Sequence, residues 1–318
     1  MLDLYLPTEG NPDTPAPLAI WIHGGGWMSD PNNSVPILPL LDHGFAIARI
    51  EYRLTTESDL FNSVRFPAQI HDVKGAVRFL RANAENYNID PERFAAVGSS
   101  AGGHLAALLG VSANHPQLEG NTGGNLNQPS NVQAVVDLFG PSNLLTMGGW
   151  HDQPDSPESR LIDWDLGDLK HNLENPNPPY PLIATITRDA SPVYHVDPTD
   201  PPFFIAHGTA DTTVPYTQST ELNDALVAAN VPVDFHTVND DRHTIMDMPL
   251  EAVFDFITTT LAPQALPIPA DANLDGKVDL LDLSILASNF GVTGSIPEPA
   301  SATLISLGLL ATRRRRSA

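Results

Sequence analysis

Residues Phe94-Ala-Ala-Val-Gly-Ser-Ser-Ala-Gly-Gly-His-Leu105 are the most informative about the fold, because their pattern predicts a strand that passes into a helix through a very short turn. Residues 94–98 form an apolar run typical of a buried strand, and residues 101–109 have the pattern of a helix. Between them, Gly98-Ser99-Ser100-Ala101-Gly102 supplies the small residues that such a tight turn requires. This turn places the serine hydroxyl above the sheet, at the amino end of the helix. We predict that Ser100 is a nucleophile; the alternative is a glycine-serine turn without chemistry.

A second glycine-rich segment, His23-Gly24-Gly25-Gly26-Trp27, directly follows the first strongly apolar strand. Three successive glycines leave backbone N–H groups free to point into a cavity, which is what a developing oxyanion requires. We predict that Gly25 and Gly26 donate two of these hydrogen bonds and that the Ala101 amide donates a third, with Gly24 as a possible replacement for one of them. A phosphate-binding loop is the alternative, but no Gly-Lys-Ser/Thr sequence follows.

An acid and a histidine follow the serine in the order that a nucleophile turn of this type requires. Asp211 comes directly after the apolar run 203–207, and His243 follows the strand-like run 233–238. We predict that His243 accepts the serine proton and that Asp211 orients the imidazole and stabilises its charged form. The alternatives are a turn-forming aspartate and a surface histidine. The chain has 11 histidines, but His236 lies within a strand and His104 within a helix.

Apolar strand-like runs and amphipathic helical runs alternate from residue 1 to about residue 262, as in a parallel sheet with helices on both faces. The α/β fold class follows from this alternation. The predicted strands are residues 18–23, 46–52, 94–98, 134–139, 203–207 and 233–238, after a strand at residues 1–7, and the predicted helices are 72–84, 101–109 and 221–229. Residues 147–181 are polar and rich in proline. We expect them to form an insertion over the active-site face.

Composition excludes several function classes. The 318 residues, 42% of them hydrophobic, suffice for one large catalytic domain with small appendages. The formal net charge of -22 repels phosphate backbones, so we expect no nucleic-acid partner. There are no cysteines, which excludes thiol nucleophiles, disulfides and Cys-ligated zinc. We expect catalysis to need no cofactor.

The motifs together resemble the HGGG-type esterases, most closely the branch related to feruloyl and acetyl esterases. The resemblance covers most of residues 1–260 and implies an alpha/beta-hydrolase fold and carboxylester hydrolysis. It departs from the family around the histidine, where Asp240-Asp241-Arg242-His243-Thr244 stands in place of small glycine-rich residues. The motifs that carry it are His23-Gly-Gly-Gly-Trp27, Tyr52-Arg-Leu54, Phe66-Pro-Ala-Gln69, Asp72-Val-Lys-Gly-Ala-Val-Arg-Phe-Leu-Arg81, Gly98-Ser-Ser-Ala-Gly-Gly-His-Leu105 and His207-Gly-Thr-Ala-Asp211.

A proline-rich linker, residues 263–270, leads to a small acidic unit at residues 271–292. Oxygen side chains at loop positions 1, 3, 5, 9 and 12, with glycine at position 6, are typical of an EF-hand-like calcium loop. The predicted ligand set is Asp271, Asn273, Asp275, Lys277, Asp279 and Asp282. Aspartate at position 12 resembles dockerin modules, which bind cohesins, but this chain has one such loop where dockerins usually have two. A calcium-stabilised spacer and a solvated acidic loop are the alternatives.

The tail, residues 293–318, resembles PEP-CTERM sorting signals of bacterial envelopes. It contains Pro297-Glu298-Pro299, a short apolar run and four arginines at 313–316. The resemblance implies transient membrane contact and export to the cell envelope or the medium; the alternative is a disordered basic tail. No signal peptide is visible in the first residues, so we expect the N-terminus to be incomplete.

Three functions remain open at this point. The first is an exported serine esterase that removes acetyl or feruloyl groups from polysaccharide. The second is an arylformamidase or serine peptidase on the same scaffold. The third belongs to another class, a non-catalytic surface or scaffold protein, which the complete set of Ser100, Asp211 and His243 disfavours.

Overall fold

The computed structural model describes residues 1–8, 14–31, 34–56, 64–113 and 115–262. In this part of the chain a seven-stranded sheet has the order β1-β3-β2-β4-β5-β6-β7. Strand β1 pairs with β3 antiparallel, and every other neighbouring pair is parallel. The strands are β1 (Leu2–Tyr5), β2 (Ala16–Ile22), β3 (Ala46–Ile50), β4 (Ile89–Ser99), β5 (Ala134–Leu138), β6 (Phe203–Gly208) and β7 (Val233–Val238).

Helices connect the parallel strands. The α-helices in the described residues are α1 (Ala68–Ala82), α2 (Ala84–Tyr87), α3 (Ala101–Val111), α4 (Pro116–Glu119), α5 (Pro157–Ile162), α6 (Leu166–His171), α7 (Tyr180–Asp189), α8 (Thr217–Ala228) and α9 (Leu250–Thr260). Three short 3-10 helices cover Leu38–His43, Gly149–Asp152 and Pro192–Tyr194. Within the described residues, no helix is both long and apolar enough to cross a membrane.

The central strands are buried on both faces, which explains their unbroken apolar runs. One face of the sheet packs against α1, α3 and α8, and its core includes Ile20, Leu105 and Leu222. The other face packs against α9 and the 3-10 helix Leu38–His43, around Trp21 and Ile257. The prediction of a mostly parallel sheet with helices on both faces is therefore confirmed.

The parallel strands share one edge where their carboxyl ends meet. Ile22 of β2 lies opposite Gly98 of β4, and Ser99 lies opposite Leu138 of β5. On the other side of β5, Gly208 of β6 lies opposite Val238 of β7. The loops that follow β2, β4, β6 and β7 therefore emerge at the same edge, and these loops carry the predicted glycine, serine, aspartate and histidine sites.

All the predicted strands and helices form, with bounds that differ by a few residues; β4 begins earlier than expected, at Ile89. Residues 147–181 differ most from expectation, because they fold into the 3-10 helix Gly149–Asp152, α5, α6 and the start of α7. Ser156 and Asp165 cap α5 and α6 with their side chains. The linker, the calcium loop and the sorting tail predicted for residues 263–318 lie outside the described residues.

Candidate active site

The turn after β4 holds Ser100 in a strained backbone conformation, with φ 55° and ψ −125°. Its amide donates to the Leu138 carbonyl at 2.9 Å, which ties the turn to β5. A side chain at Gly98 would place its Cβ 2.1 Å from the Gly102 carbonyl oxygen, and one at Gly102 would lie 2.0 Å from the Ile22 carbonyl oxygen. Only glycine fits at these two positions, because the turn brings strand and helix backbones into contact.

The structure brings the three predicted residues together in one hydrogen-bonded row. The Nε2 atom of His243 lies 2.9 Å from the Oγ atom of Ser100. Its Nδ1 atom lies 2.7 Å from Oδ2 of Asp211. With Nδ1–H donating to the carboxylate, the neutral imidazole presents Nε2 as an acceptor for the serine proton. His236 instead stacks on Phe204, away from this row.

Asp211 is held by four donors, although its side chain is fully buried. The backbone amides of Thr213 and Val214 donate to Oδ1 at 2.7 and 2.9 Å. His243 and His207 both approach Oδ2, the latter at 3.2 Å. Burial opposes ionisation, but the hydrogen bonds from both histidines and the Val214 amide, with the attraction of His243, hold the pKa of Asp211 well below its usual range. The carboxylate is therefore ionised at neutral pH.

His207 is a residue of this site to which the sequence analysis gave no role. Its Nε2 atom faces two acceptors, Oδ2 of Asp211 and the Val214 carbonyl at 3.1 Å, so Nε2 carries the proton. Its Nδ1 atom then accepts from the Ser219 hydroxyl at 2.7 Å. The motif His-Gly-Thr-Ala-Asp was a usable signal, because it places a histidine at a strand end four residues before the acid.

The loop after β2 offers backbone donors beside Ser100. The described residues contain no protein acceptor for the N–H groups of Gly25, Gly26 or Ala101. Gly25 and Gly26 have positive φ angles of 102° and 60°, which only glycine adopts without strain. Gly24 lies directly against the nucleophile, since a Cβ there would be 3.3 Å from the Ser100 Cβ. The predicted donors Gly25, Gly26 and Ala101 line the same cavity as Ser100, and Gly24 stays a possible replacement.

Two buried contacts hold this loop in place. The Trp27 indole N–H donates to Nδ1 of His104 at 3.2 Å, and Nε2–H of His104 donates to the Ala190 carbonyl at 2.6 Å. Burial lowers the pKa of His104 to about 4, which keeps its imidazole neutral in this chain of hydrogen bonds. The Tyr52 hydroxyl donates to the His23 carbonyl at 3.0 Å, and the two rings stack.

A cavity of about 550 Å³ opens above Ser100. Phe139, at φ 48°, packs edge-on against the His243 ring, with centroids 4.7 Å apart. Further lining comes from the segment 147–181, as Trp150, His151, Pro157 and Glu158. As expected, this segment borders the active-site face, but its sequence pattern does not single out these four side chains. The described residues hold no group of three or more metal-ligating side chains.

A serine at a strained strand-to-helix turn, followed by an acid and a histidine from later strand ends of a mostly parallel sheet, defines an α/β hydrolase. The comparisons identify the family. The chain belongs to the BD-FAE family, whose model matches residues 2–226.

Several known proteins are similar to this chain. Esterase LipC of Mycobacterium tuberculosis is 30% identical over 222 residues, which are 69% of this chain and 50% of that protein. A structure described as a truncated form of carbohydrate esterase from gut microbiota has a TM-score of 0.68 and 31% identity, over 82% of this chain and 90% of that one. The structure of a bifunctional GH43-CE of Bacteroides eggerthii has a TM-score of 0.69 and 32% identity, over 81% of this chain and 36% of that one. The chain spans about half the length of the curated relatives it matches.

Proposed function

We propose that the protein is a serine carboxylester hydrolase in which Ser100 attacks the ester carbonyl. The observation that carries this proposal is the 2.9 Å approach of His243 Nε2 to Ser100 Oγ, beside glycine-loop amides that have no acceptor among the described residues. The names of the relatives, which are esterases, support the same chemistry.

The reaction takes place in two steps. His243 accepts the Ser100 proton as Oγ bonds to the carbonyl carbon, and the carbonyl oxygen becomes an oxyanion facing the amides of Gly25, Gly26 and Ala101. The tetrahedral intermediate then loses the alcohol, which takes the proton from His243, and an acyl-serine remains. A water molecule loses a proton to His243 and attacks the acyl-serine, and the second tetrahedral intermediate then expels Ser100 Oγ, which takes the proton back from His243 as the acid is released. Asp211 stays ionised and stabilises the imidazolium in both steps.

For the substrate we propose acetyl or feruloyl esters of polysaccharide. The carbohydrate esterases among the structural neighbours support a sugar ester. The cavity supports it too, because about 550 Å³ beside Ser100 accommodates a small acyl group together with part of a bulky alcohol.

The test combines an active-site probe with a substrate panel. We expect a fluorophosphonate to label wild-type protein at Ser100 and not to label Ser100→Ala, whose kcat falls by about 10⁴-fold or more. The panel contains p-nitrophenyl acetate, acetylated xylan, methyl ferulate, N-formylkynurenine and a peptide anilide. A preference for N-formylkynurenine would indicate an arylformamidase instead of an esterase, and a preference for the anilide would indicate a peptidase. Wild-type protein that is neither labelled nor active would indicate a non-catalytic protein.

The remaining proposals rest on the sequence of residues 263–318, outside the described residues. We propose that the dockerin-like loop at 271–292 binds calcium, as a calcium-stabilised spacer or as a contact for a cohesin-like partner. We also propose that the PEP-CTERM-like tail directs the exported protein to the envelope and is cleaved near Pro297-Glu298-Pro299. Mass spectrometry of envelope and medium fractions from the native host tests the sorting proposal. Intact peptides that end at Ala318 in a cytoplasmic protein would contradict it.

A further inference from the structure

One wall of the active-site cavity carries three side chains that ester hydrolysis at Ser100 does not use. Trp150 and His151 lie on the 3-10 helix Gly149–Asp152, and Glu158 lies in the first turn of α5. All three line the same cavity as Ser100 and His243. We call them the side-wall cluster.

The side-wall cluster lies next to the loop that faces the ester oxygen. Pro157, the first residue of α5, packs against that loop, since a Cβ at Gly26 would be 3.3 Å from the Pro157 Cβ. Glu158 is the next residue in the chain. A molecule whose carbonyl group occupies the oxyanion position therefore has this wall within reach.

Glu158 and His151 are polar but almost fully enclosed, with side-chain exposures of 3% and 4%. Oε2 of the carboxylate lies 3.0 Å from Nδ1 of the imidazole, yet neither atom makes a hydrogen bond of acceptable geometry. Elsewhere among the described residues no side chain or amide bonds to either side chain. Buried polar groups are costly when their hydrogen bonds are not satisfied, and a ligand that brings donors and acceptors to this pair would relieve that cost.

Trp150 provides a flat apolar surface beside this pair. Its indole leans on the His151 ring, with centroids 4.0 Å apart, and about half of its side chain is exposed. An exposed tryptophan at the mouth of a cavity offers a large apolar face at little conformational cost. A buried acid–imidazole pair next to an exposed indole matches a ligand with one apolar face and many hydroxyl groups around its edge.

We propose that the side-wall cluster binds the sugar ring of a carbohydrate ester, so that the alcohol portion of the substrate lies along residues 150–158. Trp150 contacts the C–H face of the ring, and Glu158 and His151 bond its free hydroxyls. This inference rests on the proposed esterase function and assigns to its substrate a binding subsite and the residues that form it.

The test compares esters that share an acetyl group and differ in the alcohol. p-Nitrophenyl acetate has no sugar, glucose pentaacetate has a sugar ring without free hydroxyls, and partially acetylated xylo-oligosaccharides have both. We expect Trp150→Ala to lower kcat/KM for both sugar esters about tenfold relative to p-nitrophenyl acetate, mainly through KM. Glu158→Gln should lower kcat/KM relative to p-nitrophenyl acetate about tenfold for the xylo-oligosaccharides and leave it unchanged for glucose pentaacetate.

Tyr194→Ala is the matched control, because Tyr194 is an aromatic residue as exposed as Trp150, at 48%, and does not line the cavity. We expect it to leave all the ratios unchanged. If Glu158→Gln does not fold, Trp150→Ala carries the test, since its side chain is half-exposed and its removal leaves the core intact.

Two outcomes overturn the inference while the esterase function stands. In the first, Trp150→Ala leaves the ratios of an active enzyme unchanged. In the second, it lowers kcat/KM for methyl ferulate and not for the sugar esters, which would assign this wall to the acyl group. Wild-type protein inactive on every ester would instead contradict the proposed function, and the inference would fall with it.

Discussion

Replacing His207 by phenylalanine tests how Asp211 is held in the active site. The change removes the Nε2–H that donates to Asp211 and to the Val214 carbonyl, and it removes the acceptor of the Ser219 hydroxyl. Three donors to Asp211 remain, which are His243 and the amides of Thr213 and Val214. The carboxylate therefore stays ionised and stays aligned with His243.

The magnitude of the effect follows from the bonds that are lost. A hydrogen bond to a charged group contributes about 1.5–3 kcal/mol, and about 1.4 kcal/mol corresponds to a factor of ten in rate. Because the two amides still hold Oδ1 in place, we expect only part of this energy to be lost from transition-state stabilisation. The expected fall in kcat is about tenfold. Two polar groups, the Val214 carbonyl and the Ser219 hydroxyl, become unpaired in the buried interior. We expect the free energy of unfolding to fall by about 2–4 kcal/mol.

The assay measures kcat for p-nitrophenyl acetate well below the melting temperature and the free energy of unfolding by urea titration. Ser219→Ala is the control, since it removes the Nδ1 partner of His207 and leaves the contact with Asp211 in place. It should lower stability with a smaller effect on kcat. A folded His207→Phe protein with full activity would show that Asp211 does not depend on His207. A loss as large as that of Ser100→Ala would show that His207 takes part in the reaction itself.

Further predictions concern the turn, a buried acid and calcium. Gly102→Ala should yield little soluble protein or a strongly lowered Tm by calorimetry, because the new methyl group would lie 2.0 Å from the Ile22 carbonyl oxygen; a Tm like that of wild type would refute the close approach. Burial raises the pKa of Asp137 from 3.8 to about 6, so the proton stabilises the folded state, and this stabilisation is lost as pH rises through 6. Relative to Asp137→Asn, the wild type should lose about 1 kcal/mol of unfolding free energy between pH 5 and pH 8. Urea titrations in which the two proteins differ in unfolding free energy by the same amount at both pH values would contradict this. EDTA should lower the thermal stability contributed by residues 271–292 without slowing ester hydrolysis. Inactivation that calcium reverses in a chain ending at Pro263 would point to a second metal site.

The sequence alone predicts the strand-to-helix turn at Ser100 and the chain order of Ser100, Asp211 and His243. Small residues at 98, 101 and 102 are required where a strand turns directly into a helix, and this requirement is local, so it is visible in a short stretch of chain. The same holds for the strands, because a parallel sheet buried on both faces requires continuous apolar runs. Asp211 and His243 were found because each follows such a run, and the parallel topology brings the carboxyl ends of strands to one edge.

Which other side chains surround Ser100 depends on the tertiary structure. His207 contacts Asp211 because the turn after β6 folds back on its own strand. The side-wall cluster reaches the cavity because α5 packs against the glycine loop, more than a hundred residues earlier in the chain. In the sequence, the segment 147–181 shows polar and proline-rich composition, and its three short helices are too brief to give a periodic pattern. Contacts between segments far apart in the chain depend on how these helices pack, and that packing is a property of the whole fold.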